Sequence, residues 1–116
     1  MGNAFAPLPT QPYYAVIFSS QRSGEDPNYE PMAEAMFRLA GNQPGYIGVE
    51  SARGPDGFGI TVAYFENEES ILAWKRNTSH IAAQRLGQER WYSGYTVRVA
   101  KVERAYSGPE GRIKSP

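Results

Sequence analysis

Two segments of the chain alternate as β-strands do, yet both of their faces are apolar. The faces of residues 58–65 are formed by Phe58, Ile60, Val62 and Tyr64 on one side and by Thr61, Ala63 and Phe65 on the other. The faces of residues 95–106 carry Tyr95, Val97 and Val99 on one side and Ala100 and Val102 on the other. A sheet with one face in water alternates apolar with polar residues. We therefore expect both faces of this sheet to be covered.

Strands are predicted where aromatic and β-branched residues are concentrated, at Tyr13–Ser20, Tyr46–Arg53, Phe58–Phe65 and Tyr95–Tyr106. The turn signal Gly54-Pro55-Asp56-Gly57 lies between the two middle segments and predicts that they form a hairpin.

Two helical regions are predicted between these strands. The first runs from about Tyr29 to Ala40, after the N-cap Asn28, and carries one apolar stripe. The second begins after the N-cap Asn67 and runs to about Asn77, then restarts at Thr78 and runs to about Trp91. The resulting order β-α-β-β-α-β predicts an α+β protein of ferredoxin-like type. Its four-stranded antiparallel sheet would carry both helices on one face.

The chain of 116 residues has the length of one domain. We expect that domain at residues 13–106, after an extended N-terminal arm at 1–12 that contains three prolines and before a flexible C-terminal tail at 107–116. Because the helices cover one face of the sheet, we expect the other face to pack on the same face of a second copy, as an isologous homodimer.

Composition excludes several classes of function. Lys+Arg and Asp+Glu number 12 each, so the chain lacks the excess of positive charge that nucleic-acid binding needs. It has no cysteine and one histidine, which excludes thiolate chemistry and a multi-histidine metal site within one chain. No run approaches the roughly 18 apolar residues of a membrane span, and residues 1–12 lack the positive charge of a signal peptide. We expect a soluble cytoplasmic protein without a membrane or nucleic-acid partner.

The segment Trp74-Lys75-Arg76, followed by His80, Ala83-Gln84, Gly87, Trp91-Tyr92 and Tyr95, resembles the antibiotic biosynthesis monooxygenase family. The segment Pro44–Ser51 resembles the second strand of that family. The resemblance covers about residues 13–106. It implies a ferredoxin-like fold, a dimeric α+β barrel made of two sheets, and a pocket between helices and sheet in each subunit. It also implies monooxygenase chemistry that needs no metal or flavin, and hence no cofactor.

The candidate catalytic residue is His80, the sole histidine. In a regular helix it shares one stripe with Gln84, Gly87 and Trp91, beside the apolar stripe that packs on the sheet. A neutral imidazole there would take a proton from a phenol or enol, and the resulting carbanion would react directly with O₂. The candidate substrate-binding residues are Trp74, Gln84, Trp91, Tyr92 and Met36.

Other interpretations of these residues stay open. His80 near a helix N-terminus is also typical of a packing or capping residue, and the aromatic residues are also typical of a core. The chain would then be a non-catalytic small-molecule-binding or dimerisation domain. A third alternative is the haem-degrading branch of the family, which has an Asn on its first strand and a Trp and a His ten residues apart. Residues 13–20 contain no Asn, and Gln84 stands ten residues after Trp74, which argues against haem.

Overall fold

The computed structural model describes residues 5–22, 38, 41–78 and 92–109. Within these ranges the chain forms four strands and one helix, namely β1 (Tyr13–Arg22), β2 (Tyr46–Arg53), β3 (Phe58–Phe65), α1 (Glu68–Thr78) and β4 (Tyr92–Val102). Within the same ranges, no helix is long and apolar enough to cross a membrane.

The four strands form one open sheet in the order β2-β3-β1-β4, and every neighbouring pair is antiparallel. This topology confirms the predicted ferredoxin-like α+β fold. The predicted limits of β2 and β3 are confirmed, and the predicted turn between them closes with the Gly57 amide donating to the Gly54 carbonyl at 3.0 Å. Most of the first predicted helix lies outside the described residues, although positions 38 and 41 have helical backbone. The predicted helical piece from Thr78 to Trp91 also lies outside them, apart from Thr78, the last residue of α1.

The prediction for the last strand was wrong by several residues at both ends. The strand begins at Tyr92 rather than Tyr95, because Tyr92 and Gly94 pair with the last two residues of β1 across a β-bulge. It ends at Val102 rather than Tyr106, because Val102 pairs with Tyr13, the first residue of β1. A strand ends where its partner ends, and this limit is invisible in the local sequence.

The alternation of β-strands divides the side chains between two faces. We call the face that carries Val16, Ala63 and Phe65 the helix face, because Ile71 of α1 packs there. These four residues are buried, and Phe65 has no exposed surface. The partly buried residues around them are Tyr14, Tyr46, Val49 and Trp74.

The start of α1 follows its predicted cap. The Asn67 side-chain oxygen accepts hydrogen bonds from the backbone N–H of Ser70 at 2.8 Å and from the Ser70 hydroxyl at 2.9 Å. The first bond satisfies one of the amides that a helix leaves unpaired at its beginning. Glu68 and Glu69 then place two negative charges in the first turn, where the helix dipole favours them. The helix is therefore held in place three residues after the end of β3, which it also covers.

We call the opposite face, which carries Tyr13, Glu50 and Tyr64, the arm face. The N-terminal residues 5–12 lie outside the sheet and reach this face, where the Ala6 amide donates to Glu50 Oε2 at 2.9 Å. Tyr13 and Ala15 are buried there, whereas Phe58 and Ile60 at the other end of the same face are 46% and 43% exposed. The arm face is therefore covered at one end and open at the other.

Replacement of Asn67 by Ala should lower the free energy of unfolding by about 1 kcal/mol, because the cap to the Ser70 amide is lost. Asn67→Asp should retain most of the stability, since a carboxylate oxygen accepts the same bond. Urea unfolding followed by circular dichroism measures both. Equal midpoints for the wild type and Asn67→Ala would contradict the assignment of the cap.

Candidate functional site

Trp74 is the one predicted site residue whose side chain the structure describes. It lies one turn after Ile71 on the same side of α1, and its ring packs against Phe65 with the centroids 5.7 Å apart. Its indole Nε1 is buried and has no hydrogen-bond partner within the described part of the chain. A buried N–H without an acceptor costs about 1–3 kcal/mol, so a ligand oxygen placed there would be stabilised.

An open apolar surface forms the β4 edge of the helix face. Tyr95, Val97 and Val99 are 41%, 54% and 53% exposed. In the register of the sheet, Val97 stands beside Phe18, and the rings of Phe18 and Tyr95 lie 5.6 Å apart. This surface offers aromatic and branched side chains to a flat apolar molecule.

A guanidinium lies at the end of the helix face where β1 and β2 both finish. Arg53 donates through Nη2 to the Ser20 hydroxyl at 2.8 Å, and through Nη1 to the carbonyls of Ser20 and Gly57. The side chain reaches Ser20 across Gly59, where a Cβ atom would lie 2.8 Å from the Arg53 guanidinium carbon. The guanidinium is therefore held beside Ser20, which pairs with Tyr95 of the apolar surface.

Sequence reasoning missed this position. From the local sequence alone, an arginine before a turn is expected to be an exposed charge in solvent. The strand register is the signal that identifies Arg53. Gly59 pairs with both Ser20 and Arg53 and has no side chain of its own to fill the space between them.

The arm face carries a second polar group, built around Glu50. The Tyr64 hydroxyl donates to Glu50 Oε1 at 2.8 Å, and the rings of Tyr13 and Tyr64 meet edge to face at 5.9 Å. Burial, together with the hydrogen bond to Glu50 and its negative charge, raises the pKa of Tyr64 to about 12. A phenol with that pKa keeps its proton at neutral pH, so Tyr64 acts as a hydrogen-bond donor and not as a base. The cluster around Glu50 is therefore structural, and the helix face is the better candidate for a reactive site.

An open depression of about 260 Å³ lies at the end of β1, lined by Ser19, Ser20, Gln21, Phe58, Gly94, Tyr95 and Thr96. Its volume falls below the range of about 300–1,000 Å³ that is usual for pockets binding drug-sized ligands. The predicted site residue with a described side chain, Trp74, does not line it. We therefore place the candidate site on the helix face around Trp74.

Of the remaining predicted site residues, the structure describes only the backbone of Tyr92. Tyr92 is the first residue of β4, and its side chain lies outside the described part. His80, Gln84, Trp91 and Met36 lie outside the described residues, so their roles stay predictions. Among residues 5–22, 38, 41–78 and 92–109, no group of three or more His, Cys, Asp or Glu side chains could hold a metal ion.

The raised pKa of Tyr64 gives a stability prediction at alkaline pH. Because the folded protein holds this proton more tightly than the unfolded chain, the contribution is full below pH 10, and it is lost as the pH rises towards about 12. Ultraviolet titration should show one tyrosine with a midpoint near 12, and this transition should disappear in Tyr64→Phe.

Two further variants control that titration. Glu50→Gln should lower the pKa of Tyr64, since the negative charge is gone while burial remains. Tyr106→Phe changes a tyrosine that is 51% exposed and should leave the transition near pH 12 in place. Disappearance of the transition in Tyr106→Phe, or its persistence in Tyr64→Phe, would contradict the assignment.

Comparison with known proteins gives both a sequence relative and structural neighbours. No protein-family model matches the chain. The uncharacterized protein YqjZ of Bacillus subtilis (strain 168) is 52% identical over 96 residues, which cover 83% of this chain and 84% of YqjZ.

Solved structures share the fold at low sequence identity. SnoaB, a cofactor-independent oxygenase from Streptomyces nogalater, superposes in a mutant form with a TM-score of 0.68 and 8% identity, over 80% of this chain and 95% of SnoaB. A Nitrosomonas europaea protein, provisionally assigned as an antibiotic biosynthesis monooxygenase, superposes with a TM-score of 0.61 and 13% identity, over 85% of this chain and 97% of that protein. Likeness at these identities establishes a common fold.

Proposed function

Because the chain belongs to the family of Bacillus subtilis YqjZ and has the fold of antibiotic biosynthesis monooxygenases, we propose that it is itself a monooxygenase that needs no cofactor. Its substrate in this proposal is a small aromatic or polyketide-like metabolite. The substrate would lie on the helix face, between Trp74 and the open apolar surface of Tyr95, Val97 and Val99.

The buried indole N–H of Trp74 is the observation that carries the proposal. A phenolic or carbonyl oxygen of the substrate would accept this hydrogen bond, while the substrate rings would contact apolar side chains. The bond would strengthen as negative charge develops on that oxygen, so it would favour the enolate or phenolate over the neutral substrate.

The proposed reaction balances without a cofactor, because the substrate supplies the electrons. His80, two residues after the end of α1, would take a proton from an activated CH₂ group flanked by aromatic rings. The carbanion would react with O₂ and gain a proton to give a hydroperoxide. The O–O bond would then break, so that one oxygen stays as a carbonyl and the other leaves as water with the remaining hydrogen of the carbon atom.

Assembly forms part of the same proposal. A homodimer in which two arm faces pack together would cover Phe58 and Ile60, which are 46% and 43% exposed. A cytoplasmic location suits a chain without cysteine.

Trp74→Phe should lower kcat/KM for an anthrone-like substrate by about 100-fold, because an aromatic ring remains but the donor to the developing oxyanion is lost. Oxygen consumption measures the rate. Leu72→Ala is the matched control, since Leu72 lies on the same helix and is 53% exposed. Equal rates for Trp74→Phe and the wild type would refute the role of the indole N–H.

His80→Ala should reduce turnover by at least about 100-fold while substrate binding persists, because general-base catalysis contributes about that much. Binding by fluorescence titration and oxygen uptake on the same sample separate the two steps. Binding without oxygen uptake by the wild type would favour the non-catalytic ligand-binding alternative. Unchanged turnover in His80→Ala would exclude this residue as the base.

A further inference from the structure

We propose that residues 5–12 form a strap over one end of the arm face, and that this strap must leave its seat before that end packs against a second copy. The inference rests on the homodimer of the proposed function. It does not depend on whether the protein is a monooxygenase.

The strap has a defined seat on β2. The Ala6 amide donates to Glu50 Oε2 at 2.9 Å, and the other oxygen of the same carboxylate accepts from the Tyr64 hydroxyl at 2.8 Å. The bond to Tyr64 fixes the orientation of the carboxylate, so its second oxygen is already aimed at the strap. Glu50 of β2, oriented by Tyr64 of β3, thus presents one carboxylate oxygen as the acceptor for the strap.

The second part of the seat is Gly48. A Cβ atom built at this position would lie 2.9 Å from Pro7 Cδ and 3.1 Å from Ala6 Cβ, so the strap lies directly on the backbone of β2. Any side chain at position 48 would have to displace the strap or the strand. Glu50, two residues further on, points to the same face.

The strap and a second copy compete for the same space. Tyr13 and Ala15, at the strap end of the arm face, are 3% and 5% exposed, whereas Phe58 and Ile60 at the other end are nearly half exposed. Two sheets that pack face to face lie about 10 Å apart, and their side chains fill this gap. A segment of main chain that crosses one face would hold the sheets apart at that end.

The strap is held in a way that allows release. Its two largest apolar side chains, Phe5 and Leu8, are 77% and 48% exposed, so neither is enclosed in the core. At the other end of the strap, Gln11 Nε2 donates to the Ala105 carbonyl at the long distance of 3.4 Å. Segments with few buried apolar contacts open at low cost compared with the core.

A disulfide provides a direct test, because the chain contains no cysteine of its own. The double variant Ala6→Cys with Gly48→Cys starts from Cβ atoms 3.1 Å apart. A shift of a few tenths of an ångström, which the contact of the new Cβ atom with Pro7 also requires, brings them to the separation of about 3.5–4.5 Å found in natural disulfides. The oxidised form pins the strap, and dithiothreitol releases it in the same sample. Sedimentation velocity should show a dimer Kd at least tenfold weaker for the oxidised form than for the reduced form.

Single variants test the seat without a crosslink. Gly48→Ala should speed hydrogen exchange at the Ala6 amide and lower the dimer Kd relative to the wild type. Gly41→Ala is the matched control, since a Cβ atom at Gly41 meets nothing within 4 Å. Should Gly48→Ala unfold in circular dichroism, Glu50→Ala releases the strap by a second route, with Glu66→Ala as its control because Glu66 is an exposed glutamate outside the strap seat.

Two results would overturn the proposal. One is an oxidised double variant that dimerises as strongly as its reduced form. The other is a folded strap-seat variant, Gly48→Ala or Glu50→Ala, whose Ala6 exchange and dimer Kd equal those of the wild type. Neither readout involves turnover, so a protein that fails every oxygenase assay can still pass this test, and an active oxygenase can fail it.

Discussion

The packing around Phe65 is the contact on which the helix face depends. This residue ends β3, has no exposed surface, and meets Tyr46 at 5.8 Å on one side and Trp74 at 5.7 Å on the other. Removal of a buried phenylalanine side chain costs about 3–5 kcal/mol, which is a large share of the about 5–15 kcal/mol that stabilises a small domain. Since α1 begins three residues after Phe65, the same contact decides where Trp74 lies relative to the sheet.

The two faces of the sheet are covered by different means. On the helix face, the buried cluster of Val16, Ala63, Phe65 and Ile71 is apolar, so its stability derives from the hydrophobic effect and close packing. On the arm face, the covered end is held by directional bonds around Glu50. Loss of the buried apolar cluster would destabilise the whole fold. Loss of the few hydrogen bonds to residues 5–12 affects only that segment. A face covered in the second way can be uncovered without unfolding the domain.

The local sequence predicted the elements whose limits are set by local chemistry. Asn67 is recognisable as a cap because an amide before two glutamates is typical of a helix start, and the residue types of the Gly54–Gly57 segment are those of a turn. The two ends of β4 were predicted wrongly, because they depend on where β1 begins and ends.

Contacts between distant segments escaped prediction for a related reason. Arg53 and Ser20 are 33 residues apart, and Ala6 and Glu50 are 44 residues apart. No local pattern identifies such partners. The need for glycine at positions 48 and 59 becomes visible only in the folded structure, where the strap lies over Gly48 and the Arg53 side chain lies over Gly59. For the candidate site, sequence identified Trp74 as a site residue but not the state of its indole N–H, because hydrogen-bond satisfaction is a property of the folded surroundings.

The balance of donors and acceptors distinguishes the roles of the two faces. On the arm face, both carboxylate oxygens of Glu50 have a donor, so the cluster is complete and adds stability as it stands. On the helix face, the described surroundings of the Trp74 Nε1 offer it no acceptor, so an acceptor carried by a ligand would satisfy this buried donor. A donor of this kind favours the binding of a ligand that carries an acceptor. The physical argument for a ligand therefore applies to the helix face, and the argument for control of assembly applies to the arm face.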